Sequence, residues 1–249
     1  MGFDMPLVGL GTWKLNGKPC TEIVKTAINL GYNHIDTAEA YRNELDIAKA
    51  IKDYDRQKIF ITSKVWPSNL TYEKVIGACD KSLKRLGVGY IDLYLLHWPD
   101  PNADMRNILE AFKDLKKQGK IRSAGVSNFS VELLEELLLL ASKVGVEIEN
   151  NQIEINPYIN PRNVVRYCKN KGIEVTAYSP LAKGDAIDDE LIVSLAEKYC
   201  KSPSQIILRW LTQQGIFVIS KASSMKHLKE NLDLDFEIEE KDIDKINDL

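Results

Sequence analysis

Asp36, Tyr41, Lys64 and His97 are residue types that together can pass a proton to a carbonyl oxygen. A tyrosine is a weak acid with an ordinary pKa of about 10, and it donates at neutral pH more readily when a nearby cation favours the phenolate. Lys64 can supply that cation, Asp36 can keep the lysine charged and oriented in a partly dry pocket, and His97 can hydrogen-bond the carbonyl and orient it. Each sits at or just beyond the end of a short β-type segment: NHIDTA at 33–38 for Asp36 with Tyr41 just past it, IFITSKV at 59–65 for Lys64, and YIDLYLLH at 90–97 for His97.

Further polar residues close other β-type segments, namely Ser127 and Asn128, Gln152, Tyr178 with Ser179, and Lys221. Asn and Gln can satisfy a carboxamide, a tyrosine ring can stack on a planar heterocycle, and a lysine near helix N-terminal amides can hold phosphate. That set describes a nicotinamide dinucleotide site beside the proton-transfer group.

Residues so far apart in sequence meet only if the strand ends face one mouth. The β-type segments number eight: VGLGTW at 8–13, the three above, IRSAGVSN at 121–128, IENNQIEIN at 148–156, IEVTAYSP at 173–180 and IFVISK at 216–221. Between them lie amphipathic helical patterns. TEIVKTAINLG puts Ile23, Ala27 and Leu30 on one face, and SPSQIILRWLTQQG opens with Ser202 as a cap and Pro203 in its first turn, then ends on Gly215. Eight strands, seven intervening helical regions and a final helix near SSMKHLKENL fit an α/β (β/α)8 TIM barrel better than a doubly wound sheet. No Gly/Ser/Pro-rich linker divides the chain, so residues 1–249 read as a single domain.

Composition agrees with an ordinary globular protein: 249 residues, 44% hydrophobic, 28% charged, net charge −3. No concentrated basic surface points to nucleic acid. The start MGFDMPLVGLGTW lacks the pattern of a signal peptide, and no apolar run approaches the roughly 20 residues that cross a bilayer. The expected location is therefore cytoplasmic, without a membrane partner. Cys20, Cys79, Cys168 and Cys200 form no CxxC pair, and the three histidines show no HxH or HExxH spacing, so neither a redox pair nor a metal is expected. GLGT at 9–12 resembles a dinucleotide fingerprint only briefly, because Lys14 stands where the third glycine would be.

The chain resembles the aldo-keto reductase family over nearly its whole length, through GLGTW, GYNHIDTAEAYRNE, ITSKVW, LLHWPD, GVSNF, NQIEINPY, AYSPLAKG and ISKASSMKHLKEN. It is similar in particular to short prokaryotic members such as the aldehyde and 2,5-diketo-gluconate reductases. The resemblance implies reduction of an aldehyde or ketone by direct hydride transfer from NADPH or NADH, with Asp36, Tyr41, Lys64 and His97 as a catalytic tetrad and Tyr41 as general acid. It also implies that Ser127, Asn128 and Gln152 hold the carboxamide, Tyr178 stacks on the nicotinamide, and Ser179 and Leu181 line the pyrophosphate path. Lys221, Ser223, Ser224, His227, Glu230 and Asn231 would then hold the adenosine end, and the partner is a small carbonyl compound.

The sequence departs from that pattern after Lys221. The family usually has serine next and arginine six residues on, where this chain has Ala222 and His227. Arginine is always charged and grips a 2′-phosphate bidentately, whereas a histidine titrates near 6.5. The expectation is therefore NADPH with appreciable use of NADH, the NADPH advantage growing as pH falls. Trp13, Trp66 and Trp98 fall at the mouth and are expected to line a substrate pocket with His97, while Trp210, His34 and the LEELLLLASKVG run read as packing. The short stretch DPNADMRN after His97 and the end of the chain at Leu249 suggest an open pocket without a long C-terminal loop, and the start at Met1 suggests a truncated N-terminal hairpin. Monomer is the family tendency. The competing readings are a barrel aldolase using Lys64 as a Schiff-base nucleophile and a cofactor-binding regulatory or interaction subunit with little turnover.

Overall fold

The computed structural model describes residues 5–249. Among them eight parallel strands close into a barrel in sequence order: β1 (Val8–Gly11), β2 (His34–Asp36), β3 (Phe60–Val65), β4 (Ile91–Leu96), β5 (Ile121–Ser127), β6 (Asn150–Glu154), β7 (Glu174–Tyr178) and β8 (Phe217–Ser220). Pairing of Val8 with Val218 and Leu10 with Ser220 joins first strand to last, which removes the two edges a doubly wound sheet would keep. The strands are shorter than the β-type segments by one or two residues at most ends, because the ladder gives way to turns there. His97 lies one residue past β4, its N–H donating to the Val65 carbonyl at 3.0 Å.

The helices are α1 (Gly17–Asn29), α2 (Glu44–Ile51), α3 (Tyr72–Leu86), α4 (Met105–Lys117), α5 (Val131–Val144), α6 (Arg162–Asn170), α7 (Glu190–Tyr199), α8 (Pro203–Gln213), α9 (Met225–Leu232) and α10 (Glu240–Asn247). Two of them, α7 and α8, fill the single gap that the sequence pattern assigned to one helical region between β7 and β8. The Ser202 signal at the start of α8 forms a full capping box: Gln205 N–H donates to the Ser202 hydroxyl while the Ser202 N–H donates to the Gln205 side chain. No helix among the described residues is long and apolar enough to cross a membrane.

Period-two alternation sorts each strand into two faces. Ile35, Ile61, Val65 and Tyr94 face the helices and join the main apolar core, in which Trp210 is fully buried. Their neighbours point into the barrel. At the bottom, Met5 packs on Leu93 and Leu95 with Phe60 and Phe217, so the residues just before β1 plug the N-terminal end. The expectation of a truncated N-terminal hairpin falls on residues 1–4, outside the described residues. Above the plug the interior becomes polar: His34 Nε2 meets Thr62 Oγ1 at 3.0 Å, and Asn150 donates to Thr176 Oγ1 at 2.9 Å. Burial pushes the His34 imidazole down to about 4, so it sits neutral in this layer.

The interior has no room to spare where β4, β5 and β6 meet. A Cβ added at Gly125 would stand 2.6 Å from the Asn150 carbonyl oxygen and 2.7 Å from Leu95 Cδ2, and the first of these is backbone that cannot rotate away. Gly125→Ala should therefore destabilise the fold by about 3 kcal/mol, at the upper end of overpacking costs. Urea denaturation checks this, and an unchanged midpoint would refute the tight fit.

Candidate active site

Three strand ends bring the candidate proton-transfer residues together. Asp36 is the last residue of β2, and the chain then makes a single 3₁₀ turn, Glu39–Tyr41, that delivers the Tyr41 phenol over the barrel. Arg42 ends that turn in the left-handed region, φ 59°. Lys64, near the end of β3, is completely buried, and its Nζ donates to Asp36 Oδ1 at 2.6 Å, to the Thr37 carbonyl at 3.0 Å and to Tyr41 Oη at 3.5 Å. The other Asp36 oxygen, Oδ2, accepts from Gln152 Nε2 at 2.8 Å. His97 packs edge-on against Tyr41, with ring centroids 5.7 Å apart, and against Trp66 at 5.0 Å.

Burial taken alone would lower the Lys64 pKa, but attraction to Asp36 and Tyr41 and the hydrogen bonds to both outweigh it, and the amine lies above its ordinary value. It therefore stays charged, as a buried ammonium can only where it is paired. The Tyr41 phenol moves upward, not toward neutrality as the residue types alone suggest: desolvation raises it more than Lys64 lowers it. Burial, with Lys64 adding to it, pushes His97 down to about 3, so its ring is neutral over the whole physiological range. His97 Nδ1 is buried with no hydrogen-bond partner among the described residues. Placing the ring proton on Nε2 then leaves an under-used acceptor instead of an orphaned donor. The arrangement is a protonated phenol and a neutral imidazole above a paired cation, suited to donating hydrogen bonds to one oxygen.

The second set of sequence-predicted residues runs as an arc from β5 to α9. Ser127 Oγ donates to the Gln152 carbonyl at 2.7 Å, and Asn128, in the left-handed region at φ 66°, donates to the His97 carbonyl at 3.0 Å. Tyr178 Oη donates to Asn128 Oδ1 at 2.8 Å. These residues and Gln152 therefore touch both each other and the tetrad strands. Ser179 and Leu181 lie in the turn after β7, Ser179 with φ 50°. Lys221, Ser223 and His227 are exposed. Ser224 is engaged as the cap of α9, accepting from the His227 N–H at 3.2 Å, while Asn231 is buried on Ser220 and Glu230 pairs with Lys226 at 3.7 Å. Ala222 is buried, so the methyl that stands at the family's serine position packs inward. Trp13, Trp66 and Trp98 stay 46%, 40% and 43% exposed at the mouth.

Other site-shaping residues escaped the sequence reading. Asn43, fully buried, accepts from Thr37 Oγ1 at 2.7 Å and donates to the carbonyls of Thr12 and Leu15, stapling the loop after β1 to the turn that carries Tyr41. Thr12 adds a 2.8 Å bond to the Asp36 carbonyl. Glu39 receives the Trp66 N–H. The signal available was an Asn and a Glu inside DTAEAYRNE, and neither type announces a backbone-holding role in one dimension.

Comparison with known proteins agrees with this geometry. A sequence model of the Aldo/keto reductase family matches residues 7–249. The chain is 44% identical to a glyoxal reductase of Bacillus subtilis (strain 168), covering 100% of this chain and 90% of that protein. It is 40% identical to the methylglyoxal reductase DkgB of Escherichia coli O157:H7, over 92% and 86% of the two chains. The crystal structure of an aldo/keto reductase from Brucella melitensis superimposes with a TM-score of 0.92 at 40% identity, covering 98% of this chain and 95% of that one. Barrel, strand-end residues and similarity along the whole chain lead to one conclusion: this protein belongs to the aldo/keto reductase family.

Proposed function

We propose that the protein reduces small aldehydes or ketones to alcohols at the expense of a nicotinamide dinucleotide, with Tyr41 as the proton donor. The observation that carries this reading is the buried Lys64, tied to Asp36 and directed at the Tyr41 phenol. A phenolate formed when Tyr41 gives up its proton would face the Lys64 ammonium in a site where water cannot screen the attraction. His97, neutral and facing the same space, holds the carbonyl oxygen by a hydrogen bond and adds no competing charge. Trp13, Trp66 and Trp98 form the apolar walls that keep the carbonyl over the phenol.

The donor set fits the dinucleotide. The side-chain amides of Asn128 and Gln152 with the Ser127 hydroxyl suit a carboxamide, the half-buried Tyr178 ring offers a stacking face, and Lys221 and His227 stand exposed where phosphate would lie, near the start of α9. When bound, the nicotinamide supplies the hydride. Ser179 and Leu181 would line the pyrophosphate, and Ser223, Ser224, Glu230 and Asn231 the adenosine end, Ser224 and Asn231 by shaping more than by contact. The proposed cofactor is NADPH, with NADH also accepted. The proposed substrates begin with α-dicarbonyls of the kind named for its glyoxal and methylglyoxal reductase relatives. The proposed setting is a cytoplasmic monomer.

The aldolase reading requires a free amine on Lys64, and its burial, its pairing and its raised pKa all hold it as an ammonium. The regulatory-subunit reading is tested by turnover.

NADPH and NADH consumption against glyoxal, methylglyoxal, simple aldehydes and keto sugars should show reduction that Tyr41→Phe lowers by about 10²–10⁴-fold in kcat, with cofactor dissociation constants unchanged. Wild-type turnover unaffected by that substitution would remove Tyr41 from the mechanism. The pH dependence follows from the signs of the shifts: reduction needs Tyr41 protonated, its pKa is raised, and His97 is down at about 3. The kcat for reduction should therefore stay flat from about pH 6 to 9 and fall only above the ordinary tyrosine value of about 10. A fall centred near pH 7 would contradict this. Binding assays should show an NADPH advantage over NADH that His227→Ala lowers by about two- to fivefold, the worth of one exposed polar contact. An advantage unchanged in that variant would rule out His227 as the phosphate contact.

A further inference from the structure

The Glu39 carboxylate has no part in the proton-transfer group, yet it lies at the junction of two walls of the site. It opens the 3₁₀ turn that ends in Tyr41, and its Oε1 accepts from the Trp66 backbone N–H at 2.6 Å and from Asn69 Nδ2 at 3.0 Å. Trp66 precedes the short turn Pro67–Asn69 that follows β3, and Asn69 ends it. The Trp66 ring stands perpendicular to His97, and His97 stands edge-on to Tyr41. The contacts thus form a closed circuit from Glu39 to Trp66, to His97, to Tyr41, and back along the chain to Glu39.

We propose that Glu39 is a positioning residue that clamps the loop after β3 to the turn carrying Tyr41, and so sets how close the Trp66 wall stands to a bound carbonyl compound. The inference rests on the proposed reductase reading for its kinetic part and on geometry alone for its structural part. Trp66 is 40% exposed at the mouth, so where its ring stands depends on where the backbone of the loop is held, and Glu39 holds it at the Trp66 N–H. Hydrogen bonds to an ionised carboxylate are shorter and stronger than neutral ones, and two of them converge on a single oxygen here. Without them the loop keeps the contact of the Trp66 ring with His97 as its tie toward the proton donor among the described residues. The effect belongs to substrates large enough to touch Trp66. Glyoxal, with no substituent beyond its two carbonyls, reaches the wall least, and phenylglyoxal reaches it most.

Two measurements test this on the intact chain. In protein carrying 5-fluorotryptophan, with the Trp66 signal assigned by Trp66→Phe, Glu39→Ala should shift or broaden the Trp66 fluorine resonance and leave that of buried Trp210 in place. Glu39→Gln keeps an acceptor oxygen and should restore the wild-type position. In steady-state assays Glu39→Ala should raise KM for phenylglyoxal about tenfold, the scale of a modest misplacement, with kcat and the KM for glyoxal within about threefold of wild type, and Glu39→Gln should recover most of the loss. In the Trp66→Ala background Glu39→Ala should add nothing further. A Trp66 resonance unmoved by Glu39→Ala, a Glu39→Gln protein as impaired as Glu39→Ala, or losses that add in the double variant would each overturn the clamp. Should the wild type reduce no carbonyl at all, the function proposal fails, and the fluorine spectra still decide whether Glu39 holds Trp66.

Discussion

A lysine ammonium taken wholly out of water must be answered by the protein, and the pairing of Lys64 with Asp36 at 2.6 Å is the constraint around which the upper half of the barrel is arranged. One carboxylate oxygen takes the lysine and the other takes the Gln152 amide, while the Thr37 carbonyl accepts a further lysine proton. Removing any one partner would leave a charge or a polar group unsatisfied in a place water does not reach. The same burial explains the state of the neighbours. Desolvation, with Lys64 adding to it, keeps His97 neutral, and desolvation outweighs the pull of Lys64 at the Tyr41 phenol, which keeps its proton.

The barrel supplies this site by grading its interior along the axis. Met5, Phe60, Leu93, Leu95 and Phe217 close the bottom with apolar bulk, a neutral polar layer of His34, Thr62, Asn150 and Thr176 follows, and the charged pair comes last. Close-packed glycines such as Gly125 let neighbouring side chains fill the lower layers. Above the strands, order comes from side chains that grip backbone: Asn43 on the loop after β1, Asn128 on His97, and Glu39 on Trp66. Loops held in this way can present reacting groups with little reorganisation.

The proposed adenosine end is built differently. Lys221 and His227 are exposed, Ala222 turns inward, and Ser224 and Asn231 are occupied in ordering α9 and its approach. In the proposed reading that end offers a ligand charge and backbone more than a closed pocket, and the histidine that stands where the family pattern has arginine bears on cofactor choice and not on the proposed chemistry at Tyr41.

The sequence by itself determined the features that repeat locally. Short β-branched or apolar segments between longer amphipathic stretches marked the strands, cap and glycine signals marked helix ends such as Ser202 and Gly215, and the rule that strand C-termini share one mouth collected Asp36, Lys64 and His97. Motif order along the chain then pointed to the family. Only the tertiary structure decided what depends on sums over distant segments. The bond from Gln152 to Asp36 spans 116 residues, the plug joins Met5 to Phe217, and Glu39 meets Trp66 because two loops happen to cross. The direction of the Tyr41 shift belongs to the same class. Residue types show that Lys64 pulls the phenol down, but the opposing desolvation is set by how completely the surrounding strands and loops exclude water, and only the closed barrel fixes that.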